Sequence, residues 1–497
     1  MKEINAEFEK LIDEVKKYNP KSNTEGIRKA WNFASTAHAG QKRLSGEEYI
    51  SHPLEVARII VHWKLDTTTI IAALLHDTAE DTDTTIDQIE KEFGVEAALL
   101  VKGVTKVTNV RLRGSRNEIF VEGLRKMILV MATDLRVVFI KLADRIHNMK
   151  TVSALPKRKR KQNARESIGV YAPLAERLGV REAKAILEKL SFPILYPKSY
   201  RKIRLESQKY FIGAEKSLNS IIGKTIEGLI KHGVENSTVY GRNKNLYSLW
   251  RKLQRPEIGN NYEKIYDIIA IRILVEDIVS CYKSLGVVHG LFKPAPHFGV
   301  SDFIAQPKPN GYQSIHTRVF GTSGVIEIQI RTKEMHDQAE YGLAAHWAYS
   351  EAKSKKGVTD KFIKSGQVFT KDAKLDWVRQ LVEWQKEIVD SKEFIDRVKF
   401  DALSHRIFAY SPKGDVYDLP TGATPVDYAF AVHSDLGYFI KGAKINGKIV
   451  SLNHKIQNGD IVEILKSKVK RPINKDWLQF AVTSIAKKEI AKELRKV

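Results

Sequence analysis

Apolar side chains in the first 155 residues recur at the spacing of packed helices. Segments such as VARIIVHW, TIIAALLHDTAED and VEAALLVKGVTKV place them three or four positions apart, with short polar joins between the segments. A second helical stretch runs through REAKAILEKLSF, and Pro193 and Pro197 end it because proline interrupts helical hydrogen bonding. The pattern predicts an all-α domain over residues 1–155 and a helical connector over residues 156–199.

The hydrophobic pattern changes after residue 200. Short β-branched runs, IYDIIAIRILVED and GVIEIQIRT, alternate with helical segments, which predicts an α/β or α+β domain over residues 200–350. Residues 351–402 have the composition of a linker followed by a helix. Short strands with Lys413-Gly414 and Asn446-Gly447 at hairpin turns predict a small β-rich module over residues 403–467, and a basic helical tail follows over residues 468–497.

Composition places this pattern in a folded protein of several domains. The 497 residues are 43% hydrophobic and 28% charged, and no apolar run reaches the ~18 residues of a membrane span. The single cysteine, Cys281, excludes an internal disulfide and fits a cytoplasmic location. The formal net charge of +23 favours polyanionic partners such as nucleotides, RNA or the ribosome, although a lysine-rich surface with no such partner is the alternative.

A candidate metal site begins where the apolar run IIAALL meets His76-Asp77. On a continuous helix of about 3.6 residues per turn, His76 lies over Glu80 and Asp77 over Asp81. An imidazole and several carboxylates therefore share the end of a buried helix. A capping histidine with solvated acids is the alternative interpretation.

Two further candidate ligands lie on other predicted helices, His52 and Asp144. Mixed imidazole and carboxylate ligation suits Mn²⁺, Fe²⁺ or Zn²⁺ better than Ca²⁺. Such an ion polarises a phosphoryl oxygen and lowers the pKa of bound water to about 7. Glu80 and Asp81 remain to position or deprotonate that water. The order His…His-Asp…Asp resembles that of the metal ligands in the HD phosphohydrolase superfamily.

A second candidate site lies in the α/β region. The segment Gly241–Lys252 predicts a basic loop that turns into a helix, a cradle for polyphosphate that offers Arg242, Lys244, Ser248 and Lys252. Carboxylates in two predicted strands, Asp267 and Glu327, could hold Mg²⁺. Between them, Asn310-Gly-Tyr312 forms a turn with a ring suited to stacking on a base. Alternatively, the basic helix face is solvated and the tyrosine belongs to the core.

With both sites in view, the chain resembles the RelA/SpoT family of bifunctional enzymes, which make and hydrolyse the alarmones ppGpp and pppGpp. The hydrolase part carries the resemblance through RLSGEEYISHP, LLHDTAEDT and IKLADRIHNM. The synthetase part carries it through GRNKNLYSLWRKL, YDIIAIR, PKPNGYQSIHT and EIQIRTKEMHDQAEYGLAAHWAY. The resemblance implies an all-α HD-type hydrolase domain, an α/β synthetase domain with a mixed, nucleotidyltransferase-like sheet, and a small β-grasp-like TGS domain.

For the hydrolase, the resemblance implies a Mn²⁺ ion held by four residues, His52, His76, Asp77 and Asp144. Glu80 and Asp81 would serve the water that removes the 3′-pyrophosphate of ppGpp or pppGpp, leaving GDP or GTP. Four residues match positions that line the guanosine pocket: Arg43, Ser45, Asn148 and Thr151.

For the synthetase, the resemblance implies that Asp267 and Glu327 carry Mg²⁺, with Glu327 near the attacking 3′-hydroxyl of GDP or GTP. The β,γ-pyrophosphate of ATP is transferred, so positioning and charge neutralisation should supply most of the catalysis. Contacts with the phosphates are expected from Arg242, Lys244, Ser248 and His316. Tyr312 would stack on the acceptor guanine, with Lys252 and Asn310 also in the substrate site.

The chain departs from the family pattern where bifunctional members carry Arg-x-Lys before the PKPNGY stretch. Gly299-Val300-Ser301 stands there, so two cations are missing. One alternative is therefore a hydrolase with a weak or inactive synthetase domain. Another alternative is a module that binds the ribosome or deacylated tRNA through the TGS domain, where His433 matches the tRNA contact. The zinc-finger and ACT regions of long members are expected to be absent.

Overall fold

In the computed structural model, the described residues are 2–108, 134–243, 245–256, 258–262, 265, 269–296, 299–307, 312–321, 324–342, 406–457, 459–470 and 472–495. Those up to residue 342 belong to one compact unit and those from residue 406 onward to a second. Among these residues, no helix combines the length and apolar character needed to cross a bilayer.

The first unit begins with helices: α1 (Lys2–Tyr18), α2 (Thr24–Ala37), α3 (Ser51–His62), α4 (Thr67–Leu75), α5 (Thr78–Asp81), α6 (Ile86–Thr108) and α7 (Arg136–Lys150). Helix α4 is buried from Thr69 to Leu75 because α2, α3 and α6 pack around its apolar surface. Asp66 caps it by accepting a hydrogen bond from the Thr69 amide. The tight packing fixes the end of α4, from which His76 extends.

The continuous helix predicted through Asp81 is interrupted between Leu75 and Thr78. The hydroxyl of Thr78 donates to the carbonyl of Leu75, at 2.7 Å, which satisfies a carbonyl at the end of α4. Asp77 then caps the single turn α5, with φ −96° and ψ −11°. The interruption lets His76 and Asp77 point toward the same interior position.

The connector consists of a 3₁₀ turn (Val152–Ala154), α8 (Lys157–Glu166), a π-helical turn (Ser167–Tyr171), α9 (Ala172–Arg177), α10 (Arg181–Leu195) and α11 (Pro197–Lys231). Pro197 is the first residue of α11, where its missing amide hydrogen costs no helical hydrogen bond. The prediction that Pro193 ends a helix is wrong, because α10 continues through Pro193 to Leu195; the next helix begins at Pro197.

A five-stranded sheet in the order β1-β2-β5-β4-β3 completes the first unit. Its strands are β1 (Thr238–Asn243), β2 (Ile269–Val275), β3 (Ser301–Asp302), β4 (Ile315–Gly321) and β5 (Gly324–Thr332). Helices α12 (Leu246–Leu253), α13 (Ile278–Leu291) and α14 (Lys333–Tyr341) accompany it. Strands β2 and β5 are parallel and the other pairs antiparallel, so the predicted mixed sheet is confirmed.

The two faces of this sheet differ in polarity. Ile271, Ile273, Ile328 and Ile330 alternate onto the face that packs against α11 and α13. On the opposite face, the strand register aligns Arg242, Glu327 and Arg318 in one row. Arg242 projects from strand β1 rather than from the predicted loop, since the pairing of β1 with β2 extends through Asn243.

The second unit contains β6 (Arg406–Tyr410), β7 (Val416–Pro420), α15 (Pro425–Val432), α16 (Ser434–Tyr438), β8 (Ile440–Ile445), β9 (Lys448–Val450), β10 (Val462–Lys466), α17 (Trp477–Phe480) and α18 (Ser484–Leu494). The predicted turn at Asn446-Gly447 is confirmed: both residues have positive φ, 51° and 80°, and they join β8 to β9.

The chain after β10 packs onto the second unit. Trp477 and Ile490 share an apolar core with Val426 and Phe430. Asp427 is fully buried, and its Oδ1 accepts hydrogen bonds from the amides of Val482 and Thr483 and from the Thr483 hydroxyl. Its Oδ2 accepts from the amide and the hydroxyl of Thr424. One carboxylate therefore ties the start of α15 to the start of α18.

Candidate functional site

The four predicted metal ligands converge from three parts of the helical region. His52 lies in the first turn of α3, His76 and Asp77 follow α4, and Asp144 lies on α7. The Nε2 atom of His52 is 3.4 Å from both Asp77 Oδ2 and Asp144 Oδ1. One ligand atom each from His52, His76 and Asp144 falls within 4.8 Å of the others. The donors thus surround a single position.

The two ring nitrogens of His76 show that this position suits a cation. Nδ1 donates to the carbonyl of Ala73 at 2.8 Å, so Nε2 carries a lone pair. Nε2 is buried and makes no hydrogen bond among the described residues, although Asp77 Oδ1 is only 3.1 Å away. Leaving a buried polar atom unpaired costs about 1–3 kcal/mol. A divalent ion between the imidazole and the carboxylate would satisfy both, so the residues fit a metal.

The electrostatics favour the ligand forms of Asp77, Asp144 and His76, whereas for His52 the lowering of the pKa by burial is outweighed by the hydrogen bonds with Asp144 and Asp77, which raise it. Burial opposes ionisation of Asp77, but the adjacent His76 and the hydrogen bond from His52 hold its pKa well below the usual range. Burial likewise opposes ionisation of Asp144, whose pKa the nearby Lys141 ammonium and His52 keep low. Burial lowers the pKa of His76. Ionised carboxylates and a neutral imidazole are the forms that bind metals.

Two residues that the sequence did not single out orient the carboxylates. The Tyr49 hydroxyl donates to Asp77 Oδ2 at 3.0 Å and lies 2.5 Å from Asp81 Oδ2. Burial and the Asp77 charge raise the pKa of Tyr49 far above its usual value, so the hydroxyl keeps its proton. Lys141, buried, donates to Asp144 Oδ2 at 3.1 Å. The i, i+3 spacing of Lys141 and Asp144 on α7 could have indicated their contact, whereas Tyr49 is recognised only once the helices are packed.

A third such residue, His147, lies one turn after Asp144 on α7. Its Nδ1 is 2.6 Å from Nδ1 of His52, and both rings are buried. Burial and the neighbouring His52 lower the pKa of His147 to about 3. Among the described metal-site residues, His147 is thus the direct partner of the nitrogen of His52 that faces away from the carboxylates.

The predicted guanosine pocket is partly assembled beside the metal position. Arg43 Nη2 donates to Asn148 Oδ1 at 3.0 Å, and Asn148 donates in turn to Asp144. Nη1 of Arg43 is buried and without a hydrogen-bond partner among the described residues, so it can donate to a ligand. Thr151 caps the end of α7, and its hydroxyl donates to the carbonyl of His147. Ser45 is exposed in the loop before α3.

The two predicted acids lie at the rim of the metal position, on the single turn α5. Glu80 is partly buried and Asp81 is exposed. Asp81 is held from both ends, because the Tyr49 hydroxyl lies 2.5 Å from its carboxylate and Gln41 donates to its carbonyl, at 3.0 Å. One hydroxyl therefore lies between Asp81 and the predicted metal ligand Asp77.

In the sheet, Glu327 occupies the middle of the polar face. Arg318 donates to its Oε2 at 3.2 Å and Gln329 to its Oε1 at 2.8 Å. Nδ1 of His316 is 3.6 Å from Oε1 of Glu327, and its Nε2 lies 2.7 Å from the hydroxyl of Tyr312. Three of the predicted synthetase residues, Glu327, His316 and Tyr312, are therefore brought together.

The ring of Tyr312 is covered rather than open. The guanidinium of Arg181 lies 4.0 Å from the centre of the ring, and Tyr312 is only 5% exposed. Arg181 is the first residue of α10, whose next residue, Glu182, accepts from Trp63 Nε1 at 3.1 Å and lies 3.1 Å from Nε2 of His62 on α3. The start of α10 thus contacts both the end of α3 and the sheet residue Tyr312, and no sequence pattern pointed to Arg181.

Two arginines deeper on the polar face share one acid. Arg272 and Arg331 lie 2.9 and 3.1 Å from Glu340 Oε1. Arg331 is fully buried, and its Nε and Nη1 make no hydrogen bond among the described residues. Burial and the nearby Arg272 charge lower the pKa of Arg331. This excess of cations over acids favours an anionic ligand.

The remaining predicted synthetase residues are scattered. The Ser248 hydroxyl donates to Glu188 Oε2 at 3.0 Å, and burial raises the pKa of Glu188. Lys252 lies in the last turn of α12. Ser301, in the segment that departs from the family pattern, pairs with His316 in the sheet. Three residues lie outside the described part of the chain: Lys244, Asp267 and Asn310.

The predicted tRNA contact, His433, lies in the second unit. It caps α16, with its Nδ1 accepting from the amide of Asp435 at 3.2 Å. Its side chain is exposed to 67%.

Three family models match the chain in the predicted order. The HD domain matches residues 30–181, the region found in RelA/SpoT proteins matches residues 241–354, and the TGS domain matches residues 407–466. The fold class predicted from the sequence is thereby confirmed. A solved structure, the small alarmone synthetase 1 from Bacillus subtilis with pppGpp, aligns with 37% of this chain at 21% identity and a TM-score of 0.25, too low for any inference.

Curated relatives match almost the entire chain. A GTP pyrophosphokinase from Myxococcus xanthus is 44% identical over 96% of this chain and 61% of its own length. The bifunctional (p)ppGpp synthase/hydrolase RelA of Mycobacterium tuberculosis is 43% identical over 99% of this chain and 66% of its own length. A guanosine-3′,5′-bis(diphosphate) 3′-pyrophosphohydrolase from Aquifex aeolicus is 40% identical over 99% of this chain and 67% of its own length. The chain thus spans about three fifths to two thirds of these relatives, and it belongs to the RelA/SpoT family.

Proposed function

We propose that this chain removes the 3′-pyrophosphate of ppGpp and pppGpp at the helical site, giving GDP or GTP. The observation that carries the proposal is the convergence of His52, His76 and Asp144 around one position, with the Asp77 carboxylate 3.1 Å from the buried, unpaired Nε2 of His76. We propose Mn²⁺ as the ion, which supplies charge that polarises a phosphoryl oxygen and acidifies water. The names of the relatives, pyrophosphohydrolase and bifunctional synthase/hydrolase, support the reaction.

Residues of the chain around the metal position would bind the nucleotide, accept a proton from the water and hold the carboxylates in place. Arg43 presents its unpaired Nη1 next to Asn148, where a donor can hold an oxygen of the nucleotide. Glu80 and Asp81 lie at the rim, where a carboxylate can take a proton from the attacking water. Tyr49 fixes Asp81 relative to Asp77 through its hydroxyl. Ser45 and Thr151 complete the proposed guanosine pocket.

The hydrolase is tested by incubating the chain with ppGpp and Mn²⁺ and separating the nucleotides. Wild type should release GDP and pyrophosphate, and EDTA should stop the reaction until Mn²⁺ is returned. Asp77→Ala should abolish hydrolysis because it removes a ligand, whereas Asp87→Ala, an exposed acid in the first turn of α6, should not. Hydrolysis by the Asp77→Ala variant would show that the metal assignment is wrong.

We further propose that the sheet site makes ppGpp by moving the β,γ-pyrophosphate of ATP to the 3′-hydroxyl of GDP or GTP. Glu327, surrounded by Arg318, Gln329 and His316, is the carboxylate nearest the proposed chemistry. With Asp267 it would hold Mg²⁺. Phosphates would be held by Arg242, Lys244, Ser248 and His316, with Lys252 and Asn310 nearby. The excess of arginines on this face supports a polyphosphate substrate.

The synthetase is proposed as the weaker activity. Ser301 pairs with His316 at the edge of the sheet, so the segment that would carry two cations in the family pattern places a neutral residue beside the proposed phosphate contact. Incubation with ATP, GDP and Mg²⁺ should produce ppGpp more slowly than the same protein hydrolyses it with Mn²⁺. A complete absence of synthesis would leave a hydrolase alone, and faster synthesis would contradict the ranking.

The location and macromolecular partners are also proposals. A reducing cytoplasm suits the buried, unpaired Cys281. Binding of ribosome or deacylated tRNA is supported by the net charge of +23 and by the exposed His433. Filter binding with deacylated tRNA across a salt series tests it, using His433→Ala and the exposed His454→Ala as a matched pair. Equal, steeply salt-dependent binding by both variants would indicate nonspecific charge attraction.

A further inference from the structure

Each of the two histidine ligands has a ring nitrogen, Nδ1, that faces away from the metal position and is hydrogen-bonded. The partners of these two nitrogens differ in kind. Nδ1 of His76 faces the carbonyl of Ala73, which only accepts, so the tautomer of His76 is fixed. Nδ1 of His52 instead faces another imidazole nitrogen, Nδ1 of His147, at 2.6 Å. At that distance one nitrogen donates and the other accepts, since two hydrogens or two lone pairs would repel.

The direction of this hydrogen bond decides whether His52 can bind a metal while neutral. Nε2 of His52 is the nitrogen that faces Asp77 and Asp144. When Nδ1 carries the hydrogen, Nε2 offers a lone pair to an ion; when Nδ1 is the acceptor, the hydrogen of a neutral ring sits on Nε2 and blocks it. Metal ligation therefore requires that His147 accept.

We infer that His147 is a positioning residue that holds His52 in its metal-binding tautomer and orientation, an inference that rests on the proposed metal site. The two histidines lie on different helices, α3 and α7, which pack directly against each other. Since α7 also carries Asp144, one helix supplies a ligand and, one turn later, the partner of a second ligand. Partners of this kind typically alter metal affinity by about 10–100-fold.

The structure suggests a matched set of variants. His147→Asn places a carbonyl oxygen where Nδ1 of the imidazole lies, so it keeps an acceptor for His52. His147→Leu fills similar space without an acceptor. His289→Leu is the control, because His289 is a partly buried histidine on α13 whose Nε2 lies 2.8 Å from the Thr317 hydroxyl, away from the helical site. His52→Leu removes the ligand itself.

The experiment measures Mn²⁺ affinity without any nucleotide, from the electron paramagnetic resonance signal of free Mn²⁺ titrated with the full chain. Thermal unfolding in EDTA confirms that each variant is folded. We expect His147→Leu to raise the Kd for Mn²⁺ about 10–100-fold. His147→Asn should stay within about threefold of wild type if acceptor geometry is what matters, and His289→Leu should be unchanged.

Each result separates this inference from the proposed function. Wild-type affinity in His147→Leu, with affinity lost in His52→Leu, would overturn the positioning role and leave the metal site intact. Equal losses in His147→Leu and His147→Asn would also overturn it, because packing rather than the acceptor would then matter. Wild-type affinity in His52→Leu would instead refute the metal site. At saturating Mn²⁺ the His147→Leu variant should regain wild-type kcat for ppGpp hydrolysis; a low kcat would place His147 in the chemistry itself.

Discussion

The helical site around His76 and the sheet site around Glu327 differ in how fully their polar groups are paired within the chain. In the helical site, the ligand atoms point inward and the Nε2 atom of His76 has no hydrogen-bond partner among the described residues, so the site is arranged for something the chain does not itself supply. In the sheet site, Glu327 already accepts from Arg318 and Gln329, and Arg181 covers Tyr312. An ion in the first site would gain the unpaired Nε2 of His76 and replace only the contacts of His52 with Asp77 and Asp144. A ligand in the second site would gain the unpaired nitrogens of Arg331 but replace the contacts of both Glu327 and Tyr312.

This difference predicts that ligand binding costs less free energy at the helical site than at the sheet site. Binding in a site with few internal contacts breaks few of them, whereas binding in a more fully paired site exchanges a larger set of charge-assisted bonds for another. Ser301 increases this difference between the sites, since its side chain offers no charge beside His316. The helical site is the one that this conformation favours.

The largest effect should come from removing the charge at the centre of the sheet site. Glu327→Gln should lower ppGpp synthesis about 10²–10⁴-fold, the usual contribution of a positioned acid–base group, and leave ppGpp hydrolysis unchanged. Nucleotide separation after incubation with ATP and GDP measures it. Glu334→Gln, an exposed acid on α14, is the control. Undiminished synthesis in Glu327→Gln would move the chemistry elsewhere on the sheet.

A smaller effect is expected in the helical site when preorganisation is weakened without loss of a ligand. Tyr49→Phe keeps the ring that stacks on His38 but deletes the hydroxyl shared by Asp77 and Asp81. Hydrogen bonds to charged groups contribute about 1.5–3 kcal/mol, so kcat/KM for ppGpp should fall roughly 10–100-fold. Tyr18→Phe, which removes a hydroxyl that donates to the Leu65 carbonyl, should retain full hydrolysis. If Tyr49→Phe and Tyr18→Phe hydrolyse ppGpp at equal rates, the Tyr49 hydroxyl does not contribute to hydrolysis.

Removing the side chain that covers Tyr312 should improve nucleotide binding in the sheet site. Arg181→Ala removes a cation–π contact of about 0.5–2 kcal/mol, so the KM for GDP in synthesis should fall roughly three- to tenfold if guanine stacks on that ring. Arg181→Lys, which keeps a cation, should lie between wild type and Arg181→Ala. A raised KM in Arg181→Ala would show that Arg181 contacts the nucleotide, and the sheet site would then be open rather than covered.

The smallest effect concerns the contact between α3 and the helix that carries Arg181. The hydrogen bond with Glu182 raises the pKa of His62, so its stabilisation is full below about pH 6.5 and is lost as pH rises through the raised value. The pKa of Glu182, which burial would raise, is lowered by His62, so its contribution is lost as pH falls below about 4.5. His62→Gln should therefore lower the Tm by roughly 1 °C at pH 6 and less at pH 8.5. A pH-independent difference would mean that the pair contributes nothing through charge.

The sequence predicted which side chains come together in the helical site better than it predicted their surroundings. His52, His76, Asp77 and Asp144 were recognisable because their order along the chain is distinctive. The contact between His52 and His147 spans 95 positions and depends on how α3 packs on α7, which no local pattern encodes. Side chains on different helices meet only when the helices pack, so a motif within one helix does not reveal such partners.

The same limit appears in the fold and in the sheet site. Apolar runs predicted α4 and β5, and Pro197 predicted the break between α10 and α11, because burial and backbone geometry act locally. The interruption after Leu75 was not predicted, since it depends on one hydroxyl of Thr78 that competes for a carbonyl. Arg181 over Tyr312 was also missed, because the two lie far apart in the sequence and are joined by tertiary packing.

The buried carboxylate of Asp427 has a consequence for where the second unit can be cut. The TGS match ends at residue 466, yet three of the five donors to Asp427 come from Val482 and Thr483. A fragment that stopped at residue 466 would lose three of the hydrogen bonds to Asp427 and expose the apolar cluster around Phe430. Limited proteolysis should therefore spare the segment up to α18. The segment expected to fold together is therefore longer than the segment that matches the TGS domain.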